Sequence, residues 1–209
     1  MAITDYASLQ TTVADYLARS DLTSAIPGFI RFCEVHAQRE LRVRYMETIA
    51  TVSTVGGTAL YAVPNDYLEA RAFILETSIP AALDYMTPAA MVTKYASYSN
   101  GQPQSYSTIG QNFQLAPTPD GVYTAQLIYY AKIPSLDGVS VTSNWLLANY
   151  PDVYLYGSLL EAAPYLKDDE RIQIWMGMFD RAIAEIKGED ARARWNGSPV
   201  AMKVDFTVG

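Results

Sequence analysis

The chain has few of the residues from which disulfide frameworks and zinc sites are built. Its 209 residues include one cysteine, Cys33, and one histidine, His36. A single cysteine cannot form an intrachain disulfide, and zinc sites usually combine several cysteine and histidine ligands. The sequence therefore predicts a fold without disulfides and without a metal site.

Long apolar runs are also missing. No stretch approaches the roughly 20 apolar residues that a membrane-spanning helix needs. The first residues lack the basic and apolar regions of a secretory signal. We therefore expect a protein that is made in the cytoplasm, is not processed and has no membrane partner.

Charge is scarce, and acidic residues outnumber basic ones. Charged residues make up 18% of the chain, and 22 acidic against 15 basic side chains give a net charge of −7. Such a surface repels a phosphate backbone, which disfavours nucleic acid as the primary ligand. With 50% hydrophobic and 12% aromatic residues, the composition is typical of a globular protein.

The common catalytic motifs are absent as well. We find no phosphate-binding Gly–Lys loop, dinucleotide fingerprint, Gly-x-Ser-x-Gly elbow or His-Glu-x-x-His pair. Cys33 and His36 could form a thiolate–imidazole pair, but Cys33 lies on an apolar helix face, where a cysteine is usually buried and inert. The acidic residues 168–170 could bind a metal, but their position favours capping the last helix. We expect no enzymatic activity and no cofactor.

Apolar residues recur at helical spacing near both ends of the chain and alternate in the middle. The helical patterns lie at residues 5–20, 26–41, 150–166 and from residue 167 onward. This arrangement predicts an α+β fold with three parts. They are a four-helix bundle from residues 1–45 and 143–195, an inserted antiparallel β-rich domain at residues 46–142, and an extended C-terminal arm at residues 196–209.

The middle segment contains several strand signals. Gly56-Gly57 predicts a hairpin that places Val52 opposite Tyr61 and Ala50 opposite Val63. Residues 68–74 predict a strand with one wet side, and Pro88 opens a short helix. Further strands are predicted at residues 106–108 and 112–115, around a turn at Gly110, and at residues 123–131.

Arginines gather near the end of the second predicted helix, at Arg39, Arg42 and Arg44. Cations there complement the helix dipole. The alternative is that they contact an acidic partner surface. The sixteen tyrosines are equally ambiguous, because strand preference, a subunit interface and a glycan-binding β surface all favour tyrosine.

The last ten residues show a strand pattern. Apolar side chains occupy every second position, at Val200, Met202, Val204, Phe206 and Val208. A strand needs a partner, so this arm either returns to the chain's own β region or adds to the edge of another chain. We favour the second alternative and interpret the arm as an assembly interface.

Several runs resemble the head–tail adaptor, or connector, proteins of tailed bacteriophages, which are similar to the adaptors of gene transfer agents. The likeness is strongest at residues 143–157 (SNWLLANYPDVYLYG) and 161–169 (EAAPYLKDD). The other matching runs are at residues 39–42 (RELR), 64–69 (PNDYLE) and 129–134 (YYAKIP).

The resemblance implies a structural protein of the virion neck. Such proteins form a ring, usually of twelve copies, beneath the portal, and the ring docks tail or nozzle proteins. Its centre passes genomic DNA without sequence-specific binding. The C-terminal arm commonly reaches the portal, so the portal or a neighbouring copy is its expected partner. The alternative is a carbohydrate- or host-surface-binding module, which the tyrosine-rich middle segment would suit.

Overall fold

The computed structural model describes residues 2–19, 21–166 and 170–195. The chain divides into a helical unit, Met1–Val43 with Ser135–Gly209, and a β unit, Arg44–Pro134. Within the described residues there are six α-helices and two four-stranded sheets, so the predicted α+β class is confirmed. The predicted arm, residues 196–209, lies outside the described residues, as do Asp168 and Asp169 of the predicted acidic cap.

Five of the six helices belong to the helical unit. In chain order the helices are α1 (Tyr6–Leu17), α2 (Ile26–Glu40), α3 (Pro88–Tyr95), α4 (Trp145–Asn149), α5 (Pro151–Glu161) and α6 (Arg171–Trp195). The single helix expected at residues 150–166 is shorter, because α5 ends at Glu161 and a 3₁₀ turn, Ala163–Tyr165, contains Pro164. Among the described residues, α5 contacts α1, α2, α4 and α6.

Local sequence explains where these helices begin and which side they bury. Asp5 accepts a hydrogen bond from the Ser8 amide at 2.8 Å, and the Asp5 amide donates to Ser8 Oγ at 3.0 Å, which together cap α1. The predicted apolar face of α2 is buried, from Ile26 to Leu41. In α6, Trp175, Phe179, Ile183 and Ile186 are buried and recur at helical spacing, whereas Met176 is exposed.

The β unit is a sandwich of two sheets. Its strands are β1 (Glu47–Ser53), β2 (Leu60–Ala62), β3 (Tyr67–Glu76), β4 (Ala81–Ala82), β5 (Asp84–Tyr85), β6 (Ser105–Ile109), β7 (Asn112–Ala116) and β8 (Thr124–Ala131). One sheet has the order β1-β8-β3-β4 and the other β2-β7-β6-β5. All pairs are antiparallel except β5 with β6, which is parallel, so the predicted antiparallel character holds for most of the unit.

Aromatic rings from both sheets fill the core of the sandwich. Phe73 on β3 packs against Tyr106 on β6, with ring centroids 5.4 Å apart, and against Phe113 on β7 at 5.5 Å. Leu75, Leu115 and Leu127 belong to the same cluster. Burying these large side chains between two sheets stabilises the β unit, at roughly 1.5–3 kcal/mol per fully buried side chain.

The predicted hairpin at Gly56-Gly57 is wrong. β1 pairs with β8 and β2 pairs with β7, so the two strands lie in different sheets. The loop between them packs on a second loop, where the Gly57 amide donates to Pro119 O at 2.8 Å. The four side chains expected on one face do meet the same core, but Ala50 and Val52 reach it from one sheet and Tyr61 from the other.

A bulge in β3 changes which of its side chains face the core, so the predicted face is wrong for the second half of the strand. Its register against β8 shifts between Ala70 and Ala72. Ala70 packs on the core before the shift, and Phe73 and Leu75 are buried after it. A bulge adds one unpaired residue, which moves the following side chains to the opposite face. The alternation expected through residue 74 is therefore interrupted.

The other middle elements agree with the sequence. Thr87 caps α3, since the Ala90 amide donates to Thr87 Oγ1 at 3.4 Å, and Pro88 follows in its first turn. β6 and β7 flank a turn in which Gly110 has a φ of 60°. On β8, the predicted inward side chains Ala125, Leu127 and Tyr129 are buried.

Ionisation of Tyr129 makes the stability of the β unit depend on pH in the alkaline range. Its buried hydroxyl donates to Asp66 Oδ1 at 2.9 Å. Burial, reinforced by the Asp66 carboxylate, raises the pKa of Tyr129 from its ordinary 10.0 to about 12. Because the folded pKa is the higher one, the stabilisation is present below pH 10 and is lost as the pH rises to about 12.

We expect the free energy of unfolding of the β unit to fall between pH 10 and 12, with a shallower fall in Tyr129→Phe. Urea titrations followed by circular dichroism at a series of pH values measure this. Tyr98→Phe is the control, because the Tyr98 side chain is exposed. Equal slopes for wild type and Tyr129→Phe would contradict the assignment.

Candidate functional site

A buried carboxylate joins two parts of the helical unit. Glu34 on α2 is only 3% exposed, an uncommon environment for a carboxylate. Its Oε1 accepts hydrogen bonds from the Leu136 amide at 2.8 Å and from the Tyr154 hydroxyl at 3.2 Å. Its Oε2 accepts from the Ser135 hydroxyl at 2.5 Å and from Arg31 at 3.0 Å. Glu34 therefore fastens the segment that returns from the β unit.

The same network reaches the strongest of the family-like runs. Asn144 Nδ2 donates to the Tyr154 hydroxyl at 2.6 Å, and Asn144 Oδ1 accepts from the Leu147 amide at 2.9 Å. Asn144 thus caps α4 and orients Tyr154 on α5 at once. Burial, together with the nearby Glu34 carboxylate, raises the pKa of Tyr154, so its hydroxyl keeps the proton that it donates.

Gly157 is a second residue of this run that determines how the helices pack. A Cβ built at Gly157 would overlap Cys33 Sγ and would lie 2.8 Å from Cε2 of Phe179. The position therefore lets α5 approach both α2 and α6 closely. Together with Asn144 and Tyr154, Gly157 places residues of the run 143–157 in the packing contacts that join α5 to its neighbouring helices.

Cys33 and His36 do not form a reactive pair. The Cys33 thiol is buried and donates to Val153 O at 3.5 Å, and burial raises its pKa, which suppresses the thiolate. His36 instead lies against the Phe179 ring at 5.1 Å and 3.7 Å from Glu161 Oε1. The arrangement is that of a packed cysteine beside a half-exposed histidine.

The three arginines have different surroundings. Arg42 donates to Gln38 O at 2.8 Å and to Leu41 O at 2.6 Å, so it satisfies carbonyls at the end of α2. Arg39 is exposed in the last turn of that helix. Arg44 begins the 3₁₀ turn Arg44–Met46 of the β unit. Arg39 is therefore the one of the three that combines exposure with a place on the helix itself.

Most tyrosines of the β unit have a packing role. Tyr106, Tyr129 and Tyr130 are buried, and the Tyr67 ring contacts Phe113 with an edge-on geometry at 5.3 Å. Tyr85 and Tyr98 are exposed. The number of tyrosines in this segment is thus explained largely by the core of the sandwich.

The outer side of α6 carries apolar residues near its N-terminal end. Ile174 is 59% exposed and Met178, one turn later, is 41% exposed. Farther along the same side, Arg181 pairs with Glu185 at 2.8 Å, which is ordinary surface chemistry. Ile174 and Met178 together form a small exposed apolar surface on this side of the helix.

The described residues thus present packing networks and exposed apolar surfaces, and they show no group of three side chains able to hold a metal ion. None of the described helices has both the length and the apolar character needed to cross a bilayer. Exposed apolar surfaces are a feature of proteins that assemble with partners. The family model described as SU10 adaptor protein matches residues 4–203, and the chain belongs to this family.

Family membership makes the chain a phage adaptor, a structural component of the virion at its neck. It points to a structural rather than a catalytic role. The resemblance seen in the sequence is confirmed. A comparison with curated proteins found no match.

Proposed function

We propose that this chain forms a ring, of twelve copies, between the portal and the tail or nozzle proteins of a tailed phage. The ring docks those proteins and leaves a central channel through which genomic DNA passes without sequence-specific contacts. The observation that carries the proposal is the match of an adaptor family model to residues 4–203. The net charge of −7 supports a channel that does not retain DNA.

The helical unit supplies the rigid part of this ring. We propose that α1, α2, α5 and α6 act as one four-helix bundle, locked by Glu34 and by the close packing at Gly157. Ring closure requires one patch to contact a different patch on the next copy, repeated around an axis. The exposed Ile174 and Met178 on α6 are the apolar residues we assign to such a contact. Arg39 is assigned to an acidic surface on a partner.

The β unit and the arm supply the remaining contacts. We propose that the β unit, which the sequence predicts at residues 46–142 and which spans Arg44–Pro134, acts as the inserted docking domain. Residues 196–209 act as the assembly arm, through Val200, Met202, Val204, Phe206 and Val208. An arm adds contact area without enlarging the core, and its local tethering raises the effective concentration at the second site. The protein is made in the host cytoplasm and ends in the virion neck.

The proposal predicts weak self-association of the isolated chain and stable rings when the portal of the same phage is added. Deleting residues 196–209 should abolish the stable ring, because the arm's contacts are lost. Sedimentation velocity measures the mass, and electron microscopy shows the ring. The matched control is Lys203→Ala with Asp205→Ala, which keeps the alternating apolar residues and should assemble normally.

Two results would overturn these assignments. A strictly monomeric chain, with or without portal, would contradict the ring. Normal rings from the chain that lacks residues 196–209 would contradict the arm's role. Binding of a glycan by the monomer would favour the carbohydrate-binding alternative, although the buried tyrosines of the β unit remove most of its support.

A further inference from the structure

The two edges of the β sandwich differ in whether another strand could add to them. On one side the chain crosses from sheet to sheet through β4, Leu83 and β5, and the Leu83 amide donates to Phe73 O at 2.7 Å. These edge strands have two residues each. Very short edge strands are a common way to prevent further pairing. This side of the sandwich is therefore closed by the chain itself.

The opposite side is open. β1 and β2 end their sheets there, and within the described residues β1 pairs only with β8 and β2 only with β7. Seven residues long, β1 spans about 23 Å at 3.3 Å per residue. Residues 48–55 contain no charge and no proline, and Ile49 is 60% exposed. A long edge without lysine, proline or a bulge is suited to accepting another strand.

An apolar groove follows this open edge. It has a volume of about 200 Å³ and reaches the core residues Phe73, Phe113 and Leu127. Ala50 and Val52 from β1 and Tyr61 and Val63 from the other wall complete its apolar lining. An apolar cavity of about 150 Å³ is large enough for a benzene ring. The groove can therefore take apolar side chains from a strand that lies along β1.

We propose that this groove receives the C-terminal arm of a second copy of this chain, which adds to the β1 edge as a strand. The inference rests on the proposed function in one respect, namely that the arm links subunits. The arm has the complementary chemistry, because its five apolar residues recur at every second position from Val200 to Val208. In strand addition the main chain supplies hydrogen bonds, and alternate side chains enter pockets.

Ring geometry explains why the occupant is a second copy. When one chain carries both a groove and an arm, the contact is heterologous, and repeating it by rotation closes a ring. An arm folded onto its own edge would fill the groove and leave no link between copies. The Phe206 ring is the largest of the alternating side chains and is assigned to the deepest part of the groove.

Disulfide trapping in full-length chains tests the proposal. One tagged copy carries Val52→Cys in the groove, and a differently tagged copy carries Val204→Cys in the arm, so only an intermolecular bond joins the two tags. Both are mixed with the portal under mild oxidation. The native Cys33 is buried with a raised thiol pKa and can stay in place. A mixed dimer on a denaturing gel is the expected product.

Two matched controls make the result specific. Asp205→Cys moves the arm thiol by one residue and therefore to the other face of the strand. Tyr85→Cys moves the partner thiol to the closed side of the sandwich, where Tyr85 is exposed. We expect at least about tenfold less mixed dimer in both, since cysteines whose Cα atoms are more than about 7 Å apart cannot be bridged.

The possible outcomes separate this inference from the proposed function. The inference would be overturned if the yield of mixed dimer were equal at Val52 and Tyr85. It would also be overturned if the disulfide formed only within one chain that carries both Val52→Cys and Val204→Cys. If no mixed dimer formed but deletion of residues 196–209 still abolished the ring, the arm would link subunits without binding in the groove. That result would overturn the groove assignment and leave the arm's role in assembly intact. A synthetic peptide of residues 198–209 should reduce trapping, whereas a shuffled peptide should not.

Discussion

Glu34→Ala is expected to lower the free energy of unfolding of the helical unit by roughly 2–6 kcal/mol, because it leaves two buried hydrogen-bond donors without their acceptor. The Leu136 amide and the Tyr154 hydroxyl would lose their acceptor inside the protein. Each unsatisfied buried donor costs about 1–3 kcal/mol. Both donors are buried, so bulk water does not reach them to replace the carboxylate.

Urea unfolding followed by tryptophan fluorescence measures this loss. Trp145, Trp175 and Trp195 all belong to the helical unit, and the β unit contains no tryptophan, so the signal reports the helical unit alone. Glu40→Ala is the matched control on the same helix, because the Glu40–Lys187 pair is about half exposed and should contribute less than about 1 kcal/mol. Equal losses for the two variants would contradict the role of Glu34.

Glu34→Gln refines the same experiment. The glutamine keeps the size of the side chain and one acceptor oxygen, but its amide nitrogen would face the hydrogen-bond donors that now meet the second carboxylate oxygen. We expect a loss between those of Glu40→Ala and Glu34→Ala. In Glu34→Ala, by contrast, amide hydrogen exchange should become faster at Leu136, because that amide loses its acceptor.

Gly157→Ala is expected to destabilise the helical unit by about 1–3 kcal/mol, even though alanine is the better helix former by about 1 kcal/mol. The added methyl would overlap Cys33 Sγ and press on the Phe179 ring, and both side chains are buried. The surrounding core has little room to yield, because buried side chains are close-packed. Overpacking therefore outweighs the gain in helix propensity.

Two further variants test this explanation by the same fluorescence measurement. Gly177→Ala on α6 is the control, because a Cβ there meets nothing within 4 Å, and we expect a gain of up to about 1 kcal/mol. Adding Cys33→Ala to Gly157→Ala removes one of the two clashing atoms and should recover part of the loss. A stability of Gly157→Ala equal to or above that of wild type would refute the close-packing role.

The helices could be predicted from the sequence because each depends on neighbouring residues. The apolar face of α2 around Cys33 is visible as a local pattern and is buried as expected, and the capping pair Asp5 and Ser8 lies within three residues. Spacing of three and four residues determines which side chains share a helix face. The burial of Glu34 escaped this reasoning, because its partners Leu136 and Tyr154 are more than 100 positions away.

The strands also have some features that local sequence predicts and others that depend on distant contacts. Alternation in β8 predicts its buried face, but nothing local selects the partner of β1, since a hairpin and a sandwich both bury Ala50 and Val52. The bulge in β3 is similarly invisible, because it follows from the register against β8. The open edge and its groove could be recognised only once the strand order was known.

The sequence by itself determined the α+β class and the faces of the helices, and the runs that resemble the adaptor proteins identified the family. The class and the helix faces follow from residue spacing, which acts over a few neighbouring positions. Only the tertiary structure decided the sheet pairing, the carboxylate inside the helical unit, the close approach at Gly157 and the groove beside β1. Each of these requires contact between segments far apart in the chain, and the lowest free energy of the whole chain, not any local pattern, selects which segments meet.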